Sequence, residues 1–85
     1  MELFYVIADA DSATARREAL ASAHAGSMRF RNLYYPEVQA DFRARGGVTP
    51  PALWDGERLH SGLDAIRARL SAAPDGGAAP PPAGD

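Results

Sequence analysis

The sequence predicts an α/β domain in which helices cover both faces of one mixed four-stranded sheet. Three observations support this prediction. A continuous apolar run from Leu3 to Ala8 is typical of a strand that is buried on both faces. Two stretches rich in helix-forming residues follow it, and each ends near glycine. A later Asp55-Gly56 pair is typical of a tight turn between antiparallel strands.

The first strand leads into a helix. Residues 9–12, Asp-Ala-Asp-Ser, break the apolar run with side chains that favour helix caps. From Ala13 to about Ala25 the chain consists mainly of helix formers, and Gly26 is a natural stop. The residues expected to form its narrow apolar stripe are Ala15, Ala19, Leu20 and Ala23.

A less buried strand and a second helix come next. Residues 27–34 begin by alternating apolar and basic side chains, which is typical of a strand at the edge of a sheet. Pro36 suits the first turn of a helix, where its missing N–H costs little. Val38 and Phe42 lie four residues apart on that helix, and Gly46-Gly47 ends it.

The last third of the chain predicts a hairpin and a final helix. Residues 48–51, Val-Thr-Pro-Pro, are incompatible with a helix. Residues 52–54 and 57–60 predict two short strands, and Leu63 to about Ala73 predicts a helix. Its apolar face is expected to contain Leu63, Ile66 and Leu70. The predicted order is therefore β-α-β-α-β-β-α, with the first two strands parallel and the last two antiparallel.

Length and composition set limits on domain organisation and function. Residues 1–73 predict one domain, whereas residues 74–85 are Pro, Gly and Ala with two acids and predict a disordered tail. A net charge of -2 and nine scattered arginines argue against a nucleic-acid partner. No apolar run is long enough to span a membrane, and no signal peptide is evident, so we expect a cytoplasmic protein.

The segment from Val48 to Ile66 resembles the glutaredoxins. In that family a Thr-Val-Pro-like turn precedes a short strand, an Asn-Gly or Asp-Gly hairpin, a return strand, a Gly-containing turn and an acidic residue that opens the last helix. The matching positions here are Thr49-Pro50, Leu53-Trp54, Asp55-Gly56, Ser61-Gly62 and Asp64. The predicted order of helices and strands is similar to that of the thioredoxin fold, which glutaredoxins share.

The resemblance implies a ligand groove. It implies a cis peptide bond between Thr49 and Pro50, where an extended peptide could pair with the Thr49 backbone. It also implies glutathione as an alternative ligand. Thr49 would then hold the cysteinyl part, while Gly62 and Asp64 would hold the γ-glutamyl amine.

The chain departs from the family at the redox site. The family has Cys-x-x-Cys or Cys-x-x-Ser after the first strand, whereas this chain has Asp9-Ala-Asp-Ser12 and no cysteine anywhere. Because neither Asp nor Ser exchanges thiols, we expect no enzymatic activity of that kind. We also expect no metal site, since His24 and His60 lack companion ligands.

These observations lead to the prediction of a redox-inactive binding module that recognises a peptide, a partner protein or a thiol ligand. We expect no cofactor, with glutathione as the exception noted above, and a monomer or weak dimer. The residues expected to form the groove are Asp9, Asp11, Ser12, Thr49, Pro50, Gly62 and Asp64.

Two further interpretations remain open at this stage. A strand that ends in Asp9-Ala-Asp11 resembles the first motif of haloacid-dehalogenase-type phosphatases, in which one Asp attacks phosphorus. This chain has no Lys to balance phosphate charge, so helix capping is the favoured role of the two acids.

The opening Phe4–Ala8, with Ser12 leading into a helix, is also similar to the KaiB clock-protein family, whose cysteine-free thioredoxin-like domains bind partners.

Overall fold

A computed structural model describes residues 1–72, which form four strands and three α-helices in the predicted order. The elements are β1 (Glu2–Tyr5), α1 (Ala10–Ala21), β2 (Arg29–Asn32), α2 (Pro36–Ala44), β3 (Ala52–Trp54), β4 (Leu59–Ser61) and α3 (Leu63–Leu70). A short 3₁₀ helix, Ala25–Ser27, precedes β2. The tail predicted for residues 74–85 lies outside the described residues, as does Ala73.

The strands form one mixed sheet in the order β2-β1-β3-β4. β1 pairs with β2 in parallel and with β3 in antiparallel orientation, and β3 pairs with β4 in antiparallel orientation. The predicted four-stranded mixed sheet, its strand orientations and its three helices are therefore confirmed for residues 1–72, and β2 lies at an edge as predicted. This architecture is compatible with a thioredoxin-like fold.

Two apolar clusters hold helices against opposite faces of the sheet. Successive strand residues point to opposite faces, so Leu3 and Phe4 belong to different clusters. The first cluster contains Leu3, Ala15, Ala19, Leu53, Ile66 and Leu70, which places α1 and α3 on one face. The second contains Phe4, Leu33, Val38, Phe42 and Ala52, which places α2 on the other.

All three helices begin at the same end of the sheet. β1, β2 and β4 run in one direction and β3 runs in the other. The carboxyl ends of β1, β2 and β4 therefore lie at the same edge as the start of β3. We call this end the carboxyl-end edge. It consists of residues 6–9 and 33–35, which follow β1 and β2, residues 48–51, which precede β3, and Gly62 after β4.

Helix α1 starts and ends earlier than predicted. The Asp9 carboxylate accepts a hydrogen bond from the Ser12 N–H (2.8 Å), so the helix begins at Ala10 rather than Ala13. Ala15 and Ala19 are buried as predicted, but Leu20 is 61% exposed and Ala23 is exposed as well. Each helical residue is rotated by about 100° from the last, so a side chain next to Ala19 leaves the buried face.

The hairpin between β3 and β4 has a four-residue loop rather than a two-residue turn. The Asp55 carboxylate accepts hydrogen bonds from the N–H groups of Glu57 and Arg58, both at 2.9 Å. These bonds hold residues 55–58 in the loop. The return strand therefore begins at Leu59, two residues later than predicted.

Candidate functional site

The structure places all the predicted groove residues near the carboxyl-end edge. Residues 9–12 open α1, Thr49 and Pro50 precede β3, and Gly62 and Asp64 open α3. Short contacts connect these segments. The Val6 N–H donates to Ser12 Oγ (3.1 Å), and Val6 also lines a pocket together with Pro50. The three segments therefore lie near one another at this edge, and a ligand groove between them stays a prediction.

Asp9 and Ser12 are occupied by local structure. Ser12 is fully buried, with its N–H bonded to Asp9 and its Oγ bonded to the Val6 N–H. The Asp9 N–H in turn donates to the Val6 carbonyl (3.1 Å), which takes the chain out of the sheet after Tyr5. The buried Ser12 side chain thus stabilises the turn after β1 and does not line a groove. Of Asp9, Asp11 and Ser12, only Asp11 is exposed.

The cis peptide bond lies one residue later than the resemblance implied. It joins Pro50 to Pro51, whereas the expectation was Thr49 to Pro50. The sequence offers two successive X–Pro bonds, and local residue types do not distinguish them.

Gly62 uses its backbone within the fold. It has a φ of +91° at the start of α3, a conformation that glycine adopts without a steric penalty. Its N–H donates to the Pro51 carbonyl (3.0 Å) and so ties the start of α3 to the turn before β3. Asp64 is exposed on the first turn of α3. Of the expected polar groove residues, Asp11, Thr49 and Asp64 remain exposed to solvent.

The feature that sequence reasoning missed is a group of exposed apolar side chains at the same edge. We call this group the apolar edge surface. It consists of Ile7 (65% exposed), Tyr34 (78%), Tyr35 (50%) and Val48 (86%). Ile7 was expected inside a strand, but β1 ends at Tyr5 and leaves it in the following turn. The available signal was the Tyr34-Tyr35 pair directly after an edge strand.

Two adjoining pockets lie between these side chains. The first, of about 510 Å³, is lined by residues 6–8 and 32–35, at the ends of the two parallel strands. The second, of about 430 Å³, shares Val6 and Leu33 with the first and extends to Val48 and Pro50. The two pockets thus adjoin each other along the carboxyl-end edge, and Gln39 and Arg43 add polar groups to the second.

The loop that carries the tyrosines is fixed by hydrogen bonds. Asn32 Oδ1 accepts from the Tyr34 N–H (2.9 Å), and Gln39 Nε2 donates to the Leu33 carbonyl (2.8 Å). The rings of Tyr34 and Tyr35 meet edge to face, with centroids 5.3 Å apart and planes at 87°. The exposed rings are therefore presented on an ordered loop.

A separate polar cluster lies at the opposite end of the sheet. Asp55 Oδ2 accepts hydrogen bonds from His60 Nε2 (2.8 Å) and Arg69 Nε (3.1 Å), and Asp55 also holds the hairpin loop. Burial raises the pKa of Asp55, but hydrogen bonds from Arg58, His60 and other donors outweigh burial and hold that pKa well below its usual range. This cluster fixes α3 to the hairpin.

The exposed acidic groups near the carboxyl-end edge include the carboxylates of Asp11 and Asp64. Within residues 1–72 no group of three or more His, Cys, Asp or Glu side chains could hold a metal ion. The chain has no thiol, and the Ser12 hydroxyl is buried beneath the turn. No helix in that part of the chain has the length and apolar character needed to cross a bilayer. The arrangement is suited to binding apolar groups.

No protein-family model, no curated protein and no solved structure matches this chain, so the geometry of its own residues carries the functional inference.

Proposed function

We propose that this domain is a non-catalytic binding module with a thioredoxin-like fold, and that its apolar edge surface holds an extended segment of a partner protein. The observation that carries the proposal is the concentration of Ile7, Tyr34, Tyr35 and Val48 around two adjoining pockets at one edge of the sheet. Exposed apolar groups that gather in one place mark interaction surfaces.

The position of the first pocket favours a binding role. In open α/β sheets, ligands bind outside the carboxyl ends of strands, where neighbouring strands send their helices to opposite faces. β1 and β2 are such neighbours, because α1 packs on the face of Leu3 and α2 on the face of Phe4. The first pocket lies between the loops that follow these two strands.

The chemistry of the surface favours a peptide over a reacting substrate. The pockets present aliphatic and aromatic side chains, and the chain has no thiol with which to react. Tyrosine supplies a large contact area with few rotatable bonds, so its ordering on binding costs little entropy. The strand order and the placement of the helices support the thioredoxin-like fold of this module.

Selection of peptides on the immobilised full chain tests this function. A displayed peptide library is expected to yield apolar sequences that bind the wild type, with affinity reduced about tenfold to thirtyfold by Tyr34→Ser or Ile7→Ser. Leu20→Ser is the matched control, because Leu20 is comparably exposed but lies on α1 outside both pockets. Failure to enrich any sequence, or equal losses for Leu20→Ser and Tyr34→Ser, would contradict the proposal.

A further inference from the structure

We propose that the apolar edge surface recognises a polyproline II segment, and that its occupant is Pro80–Pro82 of a second copy of this chain. The inference rests on the proposed function and names the ligand class and the partner. The sequence carries three consecutive prolines outside the described residues, and the proposed binding role assigns them no part by itself.

The first argument is the shape and apolar character of the surface. Proline-rich segments bind grooves lined by aromatic rings, and their preformed polyproline II helix loses little entropy on binding. Tyr34 and Tyr35 stand perpendicular to each other beside the first pocket, and Ile7 lines the same pocket. Their exposed ring faces provide flat apolar surface against which proline rings can pack.

The second argument is complementary hydrogen bonding. A run of prolines has carbonyl acceptors and no N–H donors, so its receptor must supply donors. The hydroxyl groups of Tyr34 and Tyr35 make no hydrogen bond within residues 1–72. The Asn32 side chain uses its Oδ1 to accept from Tyr34, and its NH₂ group donates to no atom of that region. The rim of the pocket thus holds three donor groups next to the two rings.

The third argument is charge. Residues 73–85 contain two acids, Asp75 and Asp85, and no basic residue. Arg43 lines the second pocket and forms no ion pair within residues 1–72. A segment that places its prolines in the first pocket and runs towards the second brings Asp85, three residues after Pro82, towards this arginine, at a spacing of about 3.1 Å per residue in polyproline II.

The path of the chain favours a second copy over the chain's own tail. Ala72 lies at the far end of the domain, where its carbonyl accepts a hydrogen bond from His24 Nε2 (3.0 Å). The twelve residues of α1 alone separate that end from the carboxyl-end edge by about 18 Å. The eight steps from Ala72 to Pro80 span about 28 Å when fully extended, which leaves about 10 Å for the route around α1 and over the edge and requires a nearly extended tail. A second copy meets no such restriction.

Sedimentation velocity of the full chain over a concentration series tests the proposal. The sedimentation coefficient of the wild type is expected to rise with concentration. It should stay at the monomer value in the triple variant Pro80→Ala, Pro81→Ala, Pro82→Ala and in Tyr34→Ser. Pro74→Ala and Leu20→Ser are the matched controls and should behave as the wild type. A concentration-independent wild type, or a triple variant that associates as the wild type does, would overturn the proposal.

A peptide titration separates this proposal from the proposed function. A synthetic Ala-Ala-Pro-Pro-Pro-Ala peptide is added to the ¹⁵N-labelled triple variant, whose own tail no longer competes. Amide shifts are expected at Ile7, Asn32, Tyr34 and Tyr35, and their absence would overturn the inference. If the proline peptide gives no shifts but selected peptides without proline bind through Tyr34, the proposed function stands and the polyproline proposal fails. If no peptide of any kind binds, both fail.

Discussion

The two ends of the sheet differ in how their exposed groups are satisfied. At the hairpin end, one carboxylate, Asp55, gathers a histidine, an arginine and two backbone N–H groups. At the carboxyl-end edge, apolar rings face solvent, and the Tyr34 and Tyr35 hydroxyls find no partner within residues 1–72. Satisfied polar groups stabilise a fold, whereas exposed apolar groups leave binding energy available to a ligand. The contrast predicts that the two ends respond differently to substitution.

The largest expected effect is at the hairpin end. Asp55→Ala should lower the free energy of unfolding by about 2 to 3 kcal/mol, because it removes one acceptor of the half-buried Arg69, the acceptor of His60 and the acceptor of two loop N–H groups. Urea unfolding at pH 7 measures this loss. Glu57→Ala is the control, since Glu57 lies in the same loop and contributes only its backbone N–H. Equal free energies of unfolding for Asp55→Ala and Glu57→Ala would contradict the stabilising role of Asp55 at the hairpin end.

Ser12→Ala tests whether Ser12 supports the edge rather than binds a ligand. The free energy of unfolding should fall by about 1 to 2 kcal/mol, because the Val6 N–H loses its acceptor. Affinity for a selected peptide should change less than twofold once the protein is folded. Thr14→Ala, in the same helix, is the control for stability. A large loss of affinity with unchanged stability would instead return Ser12 to the binding site.

A third prediction concerns acid stability. Glu2 pairs with Arg31 and Arg45. Burial raises the pKa of Glu2, but hydrogen bonds from Arg45 and Arg31 outweigh burial and hold that pKa below its usual 4.5. The pKa of Glu2 is lower in the folded state than in the unfolded state. The stabilisation is therefore complete above the unfolded-state pKa of about 4.5, and it is lost as the pH falls from there through the folded-state pKa.

Glu2→Gln should therefore be about 1 kcal/mol less stable than the wild type at pH 7, and the difference should shrink below about pH 4.5. Thermal unfolding across this pH range measures it. Glu57→Gln is the control, because Glu57 is exposed in the hairpin loop and its carboxylate forms no ion pair within residues 1–72. A difference between Glu2→Gln and wild type that persists unchanged at pH 3 would contradict the assignment.

The smallest expected effect is that of glutathione. The Gly62 N–H already donates to the Pro51 carbonyl, so this group is used within the fold. Millimolar glutathione should therefore leave the amides of Thr49, Gly62 and Asp64 unshifted in the ¹⁵N-labelled protein. A selected peptide serves as the positive control on the same sample. Saturable shifts at those three amides would restore glutathione as a ligand.

The order and direction of the strands could be predicted from the sequence, because they depend on periodicity and turn residues. Val38 and Phe42 are buried as their spacing indicated, and β3 has the predicted bounds. The position of the cis bond could not be predicted, since either of two prolines satisfies the local pattern. The hairpin was misjudged because the Asp55 carboxylate holds two extra loop residues, which a dipeptide signal does not reveal.

The groove predicted from the sequence and the apolar edge surface proposed from the structure share one edge of the sheet but consist of different kinds of side chain. Capping residues such as Asp9 and Ser12 drew attention because their types also occur in active sites, yet both are used by the backbone around them. Ile7 continued an apolar run and looked like part of a strand. Its exposure goes with the local turn after Tyr5, in which the Val6 carbonyl accepts from the Asp9 N–H and the Val6 N–H donates to Ser12 Oγ.

Mapping a selected peptide onto the ¹⁵N-labelled wild type tests most directly which end of the sheet binds. The account predicts that the largest amide shifts fall at Ile7, Tyr34, Tyr35 and Val48, and that Arg58 and His60 stay unchanged. Shifts centred on the hairpin loop, with none at the two tyrosines, would contradict it.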